Sequence, residues 1–478
     1  MAMISKLFAG SSPTDTDPLV DWDFVTTSQT GANNRQIRYP RGKCLGGSSA
    51  LNFMIYQRPD TGSMQLWADT VGDQSYTFEN MLPYYKKSVQ FTPPDTNMRD
   101  PNATTQYDAS AFDSAGGPLR VSSTISPENE NRDSSQTSFL SAVESRPNLS
   151  VYHSTKASKV VFDGNKSATG VLLDSGYMLS ANKEVILSAG AFQTPQLLVL
   201  SGIGPAEILR RFDIQVIVDR PGVGQNLTDH IFFGPLYRVK VQTLTYLANN
   251  LAYVAEQYAT AYLPSNEGPL TNPVCDYLGW EKAPRANITA SAATALDQLP
   301  GSWPGIEYLP APGYVGAFTN LFTTQPNDGY QYATILAALV APQSRGTVTI
   351  SSSDVADLPL VDPRWLTDPT DQPLGRARCG PALADTAEYF PGAEVSGDEQ
   401  VLDTVRDTLM TVYHASCTAR MGRADDPTAV VDSRARVVGV QRLRVVDASS
   451  FALLPPGHPQ STVYAFAEKI ADDVKDGR

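Results

Sequence analysis

The sequence lacks most of the features that assign a protein quickly. No apolar run approaches the roughly 20 residues that a membrane-spanning helix needs. No cluster of Lys and Arg is present, and a formal charge of -13 with a pI near 4.8 argues against a nucleic acid or an anionic membrane as partner, since both require concentrated positive charge. The four cysteines, Cys44, Cys275, Cys379 and Cys417, are widely separated and form no CxxC pair. That excludes a zinc site legible in the sequence and gives no disulfide framework. Histidine is equally scarce, with four in 478 residues. No G-x-S-x-G elbow supplies a hydrolase nucleophile. No G-x-G-x-x-G turn is found either: "GIGPAE" ends in Glu and "GVGQNL" in Leu. A dinucleotide fold of the usual kind is therefore not announced by its fingerprint.

What is present belongs to a large globular protein. A length of 478 residues, 41% apolar and 18% charged, implies two domains or one large domain with an insertion. The N-terminus "MAMISKLFAGSSPTDTDPL" has no h-region of the signal-peptide kind. Five N-x-S/T triplets, at Asn102, Asn148, Asn165, Asn226 and Asn287, would suit a secreted glycoprotein, and the compartment stays open.

The pattern along the chain divides into zones. Residues 92–136 are rich in Pro, Asp, Asn and Ser and read as a surface excursion. "SKVVFDG", "ATGVLLDSG" and "KEVILSAG" read as strands, and "AFQTPQLLVLSGIG" as a helix with Thr194 at its N-cap, Pro195 in its first turn and Gly202 at its end. "YATILAALVAP" and "GTVTISSSD" read as antiparallel strands, whereas "LPGSWPGIEYLPAPGYVG" reads as Pro-rich loops walling a cavity. "EQVLDTVRDTLM" has helical spacing, "RLRVVDASS" reads as a buried strand ending in an acidic turn, and "STVYAFAEKIADDVKDG" as an amphipathic closing helix.

Two kinds of chemistry stand out. "RYPRGKCLGGSSALNFMIYQRP", residues 38–59, concentrates Gly42, Gly46, Gly47, Ser48 and Ser49 before an apolar run. Such a loop suits either close backbone approach to an anionic ligand or a plain helix-capping turn. His414 and His458 each lie at an element boundary, while His153 and His230 sit in strand or turn contexts that suit a structural role.

Taken together, six separated stretches resemble, in sequence and in order, the glucose-methanol-choline (GMC) flavoprotein oxidoreductases, and fungal aryl-alcohol-oxidase-like members in particular. They are "YPRGKCLGGSSALNFMIYQRP", "GAFQTPQLLVLSGIGP", "GVGQNLTDH", "YHASCTARMG", "VVDSRARVVGVQRLRVVDASSF" and "HPQSTVYAFAEKIAD". The resemblance implies an α/β fold with a GMC-type FAD-binding domain, residues 1–235 and 436–478, and an antiparallel-sheet substrate domain, residues 236–435. It implies FAD, held by Arg41, Gly46, Gly47, Ser48 and Asn52, by Ala157 at the adenine, by Asp447 and Ala448, and by Pro459 and Gln460, with no metal. His414 matches the family's catalytic base and His458 its partner, acting on a small-molecule alcohol.

Two departures accompany the likeness. The family's opening strand, G-x-G-x-x-G turn and helix have no match here, so the chain as given is expected to hold FAD weakly or not at all. "LTDPTDQPLGRARCGPALADTAEYFPG" is also shorter and less helical than the family's usual stretch. Two other readings therefore stand beside alcohol oxidation. One is a non-redox homologue, such as a cyclase or dehydratase of fungal secondary metabolism, and the other is a truncated, inactive member.

Overall fold

A computed structural model of the chain describes residues 18–93, 107–113, 116–121, 132–272, 274–275, 277–283, 285, 288–315, 324–372, 388–392, 394–395 and 397–478. The stretch around residues 373–387, Cys379, residues 1–17 and much of the 92–136 stretch lie outside them.

The elements that position the site are, in chain order, helices α1 (Thr61–Val71) and α2 (Phe78–Ser88), strand β1 (Val185–Leu187), helix α3 (Gly190–Leu200), strands β2 (Ile231–Phe233), β3 (Leu236–Val239), β4 (Gly279–Glu281), β5 (Ile306–Ala311), β6 (Gln331–Leu339) and β7 (Glu388–Phe390), helix α4 (Asp398–Thr408), strands β8 (Met410–Thr411) and β9 (Leu443–Val445), and helix α5 (Gln460–Lys475). β1 and β9 pair in parallel. The remaining strands form one seven-stranded sheet in the order β4-β5-β6-β3-β7, with β2 beside β6 and β8 beside β2. Every pairing in that sheet is antiparallel. The fold is thus α/β with a large antiparallel sheet.

Its packing follows from sequence period. β6 alternates buried and half-buried residues along most of its length, the signature of a strand with two unlike faces. Trp67 of α1, Tyr85 of α2, Phe466 of α5 and Tyr76 from the turn between α1 and α2 are buried in a core shared with Val185, Leu187, Leu443 and Val445 from the parallel pair. A second core joins Phe24, Ile37, Tyr39 and Phe192 to Val401, Leu402 and Val405 of α4.

Two expectations are corrected. Helix α3 starts at Gly190, with Ala189 at its N-cap, so Thr194 and Pro195 lie inside it. The first turn forms because the Asp447 carboxylate, distant in sequence, accepts the Gly190 N–H at 2.9 Å and the Thr194 hydroxyl at 2.6 Å, supplying the missing cap. The stretch around "GIEYLPA" is not a loop but strand β5, held by β4 on one side and β6 on the other. Pairing on both edges outweighs the turn signal of its prolines.

Candidate active site

His414 follows the short strand β8. Tyr413 takes a left-handed conformation at φ 64, and the turn it makes is fixed from several sides. The carboxylate of Asp229 accepts the His414 backbone N–H at 2.8 Å and the Thr411 hydroxyl at 2.7 Å. The next residue, Ala415, donates its N–H to the Tyr39 hydroxyl at 2.9 Å.

His458 comes from the loop that ends at α5. Gly457 there has φ +85, a conformation that favours glycine, and a Cβ on it would lie 2.1 Å from the Gln57 amide nitrogen and displace that side chain. The Gln57 amide donates to the Pro456 carbonyl at 3.1 Å, and the Ser461 hydroxyl donates to the Gln57 carbonyl. The loop is thereby tied to the segment 38–59.

These loops bring the two rings together. His414 and His458 stand 4.7 Å apart between centroids, at 82°, and both are buried. Two partners join them that sequence reading did not single out for this site. Glu307 of β5, fully buried, places Oε1 3.3 Å from His458 Nε2, and neither of its oxygens has a hydrogen-bond partner among the described residues. His230, read as structural, places Nδ1 3.0 Å from His414 Nδ1. The available signals were faint: a lone acid in an apolar stretch for Glu307, and the adjacent Asp229–His230 pair that closes "GVGQNLTDH".

The environment sets the protonation of this cluster. Burial, and then the neighbouring His458, His230 and Arg41 charges, hold His414 well below the ordinary imidazole value. Burial, followed by His458, lowers His230 to about 3. Both rings are therefore neutral at neutral pH, and a neutral ring can accept a proton. Burial raises Asp229 to about 6, against the hydrogen bonds of Thr411 and Tyr39.

Because that carboxyl binds protons more tightly in the folded state, its ionisation costs stability above about pH 6, and the cost disappears as pH falls through the interval down to 3.8. The stability of the wild type relative to Asp229→Asn is thus expected to rise by up to about 3 kcal/mol between about pH 7 and about pH 4. Urea unfolding of both proteins at the two pH values checks this, and a constant difference would contradict the ionisation assigned to Asp229.

The other residues named from the sequence fall into three groups. Arg41 stacks over Tyr39 and Phe192, at 4.7 and 5.4 Å, and donates to the Tyr413 carbonyl at 2.9 Å. Gly46, Gly47 and Ser48 belong to the adjoining loop, where the Ser48 hydroxyl accepts the Gly42 N–H at 3.3 Å. Asn52 accepts from the Met54 N–H at 2.8 Å and from Arg132, and Phe53 stacks on Tyr413 at 6.5 Å. Pro459 and Gln460 open α5 beside His458. These residues share one region with the histidines. Asp447 and Ala448 form a second group at the start of α3, joined to the His414 segment by the Cys417 N–H donating to the Ala448 carbonyl at 2.9 Å. Ala157 opens a separate three-stranded sheet. Its neighbour Lys156 and the loop residue Lys43 both face the Trp22 ring, at 5.7 and 5.2 Å. A cavity of about 470 Å³ lies elsewhere, walled by Trp303, Arg345, Arg420 and Leu454.

The fold is of a kind that flavin-dependent oxidoreductases use, and comparison with known proteins supplies the family. Residues 22–232 and 342–467 match the N- and C-terminal family models, each described as GMC oxidoreductase. The chain belongs to the GMC oxidoreductase family. It is 45% identical to a patulin synthase of Aspergillus clavatus over 98% of this chain and 83% of that protein. It is 40% identical to a versicolorin B synthase of Emericella nidulans, over 96% and 79% respectively. An FAD-dependent oxidoreductase from Chaetomium thermophilum superposes with a TM-score of 0.83 at 28% identity, covering 97% of this chain and 92% of that one.

FAD is the cofactor of this family, and the residues here suit it. Gly46 and Gly47 lie in the left-handed region, at φ +91 and +51, and a Cβ on Gly47 would meet no atom within 4 Å. The same open space surrounds Gly190 at φ +83, so at both positions the backbone is bare enough for a cofactor to approach closely. Among the described residues no helix is long and apolar enough to cross a membrane.

Proposed function

We propose that the protein is an FAD-dependent oxidoreductase acting on the CH–OH group of an alcohol, with His414 as general base. The observation that carries this is the buried pair of rings, His414 and His458, 4.7 Å apart and tied by hydrogen bonds to the Gly-rich segment. FAD, when bound, supplies the acceptor for the hydride that leaves the carbinol carbon. Arg41, Gly46, Gly47, Ser48, Asn52, Pro459 and Gln460 would hold its flavin end, Asp447 and Ala448 its middle, and Ala157 its adenine. On the protein side, His414 Nε2 takes the hydroxyl proton, because Nδ1 is engaged by His230. His458 orients the substrate oxygen, with Glu307 steadying its ring. Residues 1–235 and 436–478 form the cofactor domain and 236–435 the substrate domain, a division supported by the gathering of six strands from Leu236 to Thr411 in one sheet, which β2, Ile231–Phe233, joins from just before the boundary.

An orienting role predicts a graded loss. His458→Ala is expected to lower kcat by about 10²-fold or less, the scale of a misplacement of about 1 Å, and Glu307→Gln by less still. Steady-state kinetics on flavin-loaded variants checks the order. A loss at His458 larger than that at His414 would exchange their roles.

A second reading has one observation in its favour. A buried carboxyl group without hydrogen-bond partners among the described residues, opposite His458, suits acid–base chemistry with no net electron transfer. Substrate turnover without flavin reduction would select it.

A further inference from the structure

Behind the two site histidines stands a third. His230 is fully buried, and its ring meets that of His414 at 80°, with the two Nδ1 atoms 3.0 Å apart. Between two neutral rings in that contact lies one proton, and which ring owns it decides what His414 can do. If His230 donates, neutral His414 carries its own proton on Nε2 and accepts none there. If His414 donates, Nε2 is left as a lone pair.

The surroundings of the His230 ring favour the second arrangement. The backbone carbonyl of Gly457 faces the His230 ring and favours a proton on it. With Nδ1 taken by His414, Nε2 is the nitrogen that carries this proton, although the pair is not aligned as a full hydrogen bond. A lone pair on that nitrogen would instead face the carbonyl oxygen, acceptor against acceptor. The backbone around the pair is fixed independently of the rings, because the Val412 N–H donates to the His230 carbonyl at 2.8 Å and Asp229 holds the His414 N–H. The rings are thus placed by their neighbours in sequence, and their mutual contact is left to set the proton.

We propose that His230 is a positioning residue whose Nδ1 accepts the His414 Nδ1–H, which fixes the tautomer of His414 that leaves Nε2 unprotonated toward the substrate. The proposal rests on His414 being the base. Its order is Gly457 C=O, His230 Nε2–H, His230 Nδ1, His414 Nδ1–H, and then the lone pair of His414 Nε2. Burial supports it by keeping both rings neutral, so that no second proton enters the contact.

The test reads the tautomer directly, without flavin turnover. The chain has only four histidines, so ring-nitrogen NMR of protein labelled with ¹⁵N-histidine can be assigned by single substitutions. In the wild type, His414 is expected to show a protonated Nδ1 and a pyridine-like Nε2. His230→Leu removes the acceptor and is expected to move the His414 proton wholly or partly to Nε2. His230→Asn puts an amide oxygen near the position of Nδ1 and is expected to retain the wild-type pattern. In flavin-loaded protein, His230→Leu should lower kcat by about 10-fold or more with little change in KM, as a wrong tautomer does elsewhere, and His230→Asn should recover most of the rate. A wild-type His414 with Nε2–H, or a tautomer unmoved by His230→Leu, overturns the proposal. Should His230→Leu not fold, the wild-type spectrum decides alone. Failure of the base assignment shows separately, as undiminished turnover in His414→Ala.

Discussion

Replacing His414 with alanine is expected to lower turnover by about 10²-fold or more while flavin stays bound. The size follows from the task, since a positioned general base contributes about 10²–10⁴-fold. Retention of flavin follows from the structure. The His414 ring contacts His230 and His458, whereas the bare backbone offered to a cofactor lies at Gly47 and Gly190. Losing the ring therefore removes the proton acceptor and leaves the cradle in place. Stopped-flow and steady-state rates on flavin-loaded protein, with flavin content measured in parallel, separate the two effects. An unchanged rate would remove His414 from the mechanism.

The second large effect concerns the Gly-rich loop. Gly47→Val is expected to abolish flavin retention in a chain that is still folded. Its φ of +51 is an outlier for a β-branched residue, and the branch would project into the open space that the cofactor needs. Because no atom of the described residues lies within 4 Å of that Cβ position, the substitution creates no clash with them. Gly164→Ala is the control, because Gly164 also faces open space but without a left-handed φ. The control is expected to keep flavin absorbance and thermal midpoint, while Gly47→Val loses the absorbance with only a modest fall in midpoint. A full flavin spectrum in Gly47→Val would make the loop a structural turn and no more.

The parts legible from the sequence were those in which local pattern and tertiary contact agree. The alternation of β6 and the amphipathic period of α4 and α5 each announce the face that the fold buries, and β9 is the buried strand that "RLRVVDASS" suggests. The sequence placed His414 and His458 at element boundaries, and the fold brings them together. What escaped reading depends on residues far apart in the chain. The first turn of α3 is capped by Asp447, 257 positions away. β5 looked like a loop because Pro300, Pro304, Pro310 and Pro312 outweighed a short apolar alternation that only two neighbouring strands make worthwhile. Glu307 went unnoticed with it. His230 lies 184 positions from His414, and nothing local distinguishes a histidine that touches another ring from one that merely fills a core. Buried polar groups are legible as partners only once the fold supplies the partner.

The central claim, alcohol oxidation at a flavin beside His414, is tested most directly by anaerobic mixing of the flavin-loaded protein with primary alcohols, each in ordinary and α-deuterated form. The predicted result is substrate-dependent bleaching of the flavin absorbance, slower with the deuterated alcohol because the carbinol C–H bond breaks in that step, and nearly absent in His414→Ala. Conversion of substrate while the flavin spectrum stays oxidised would contradict it.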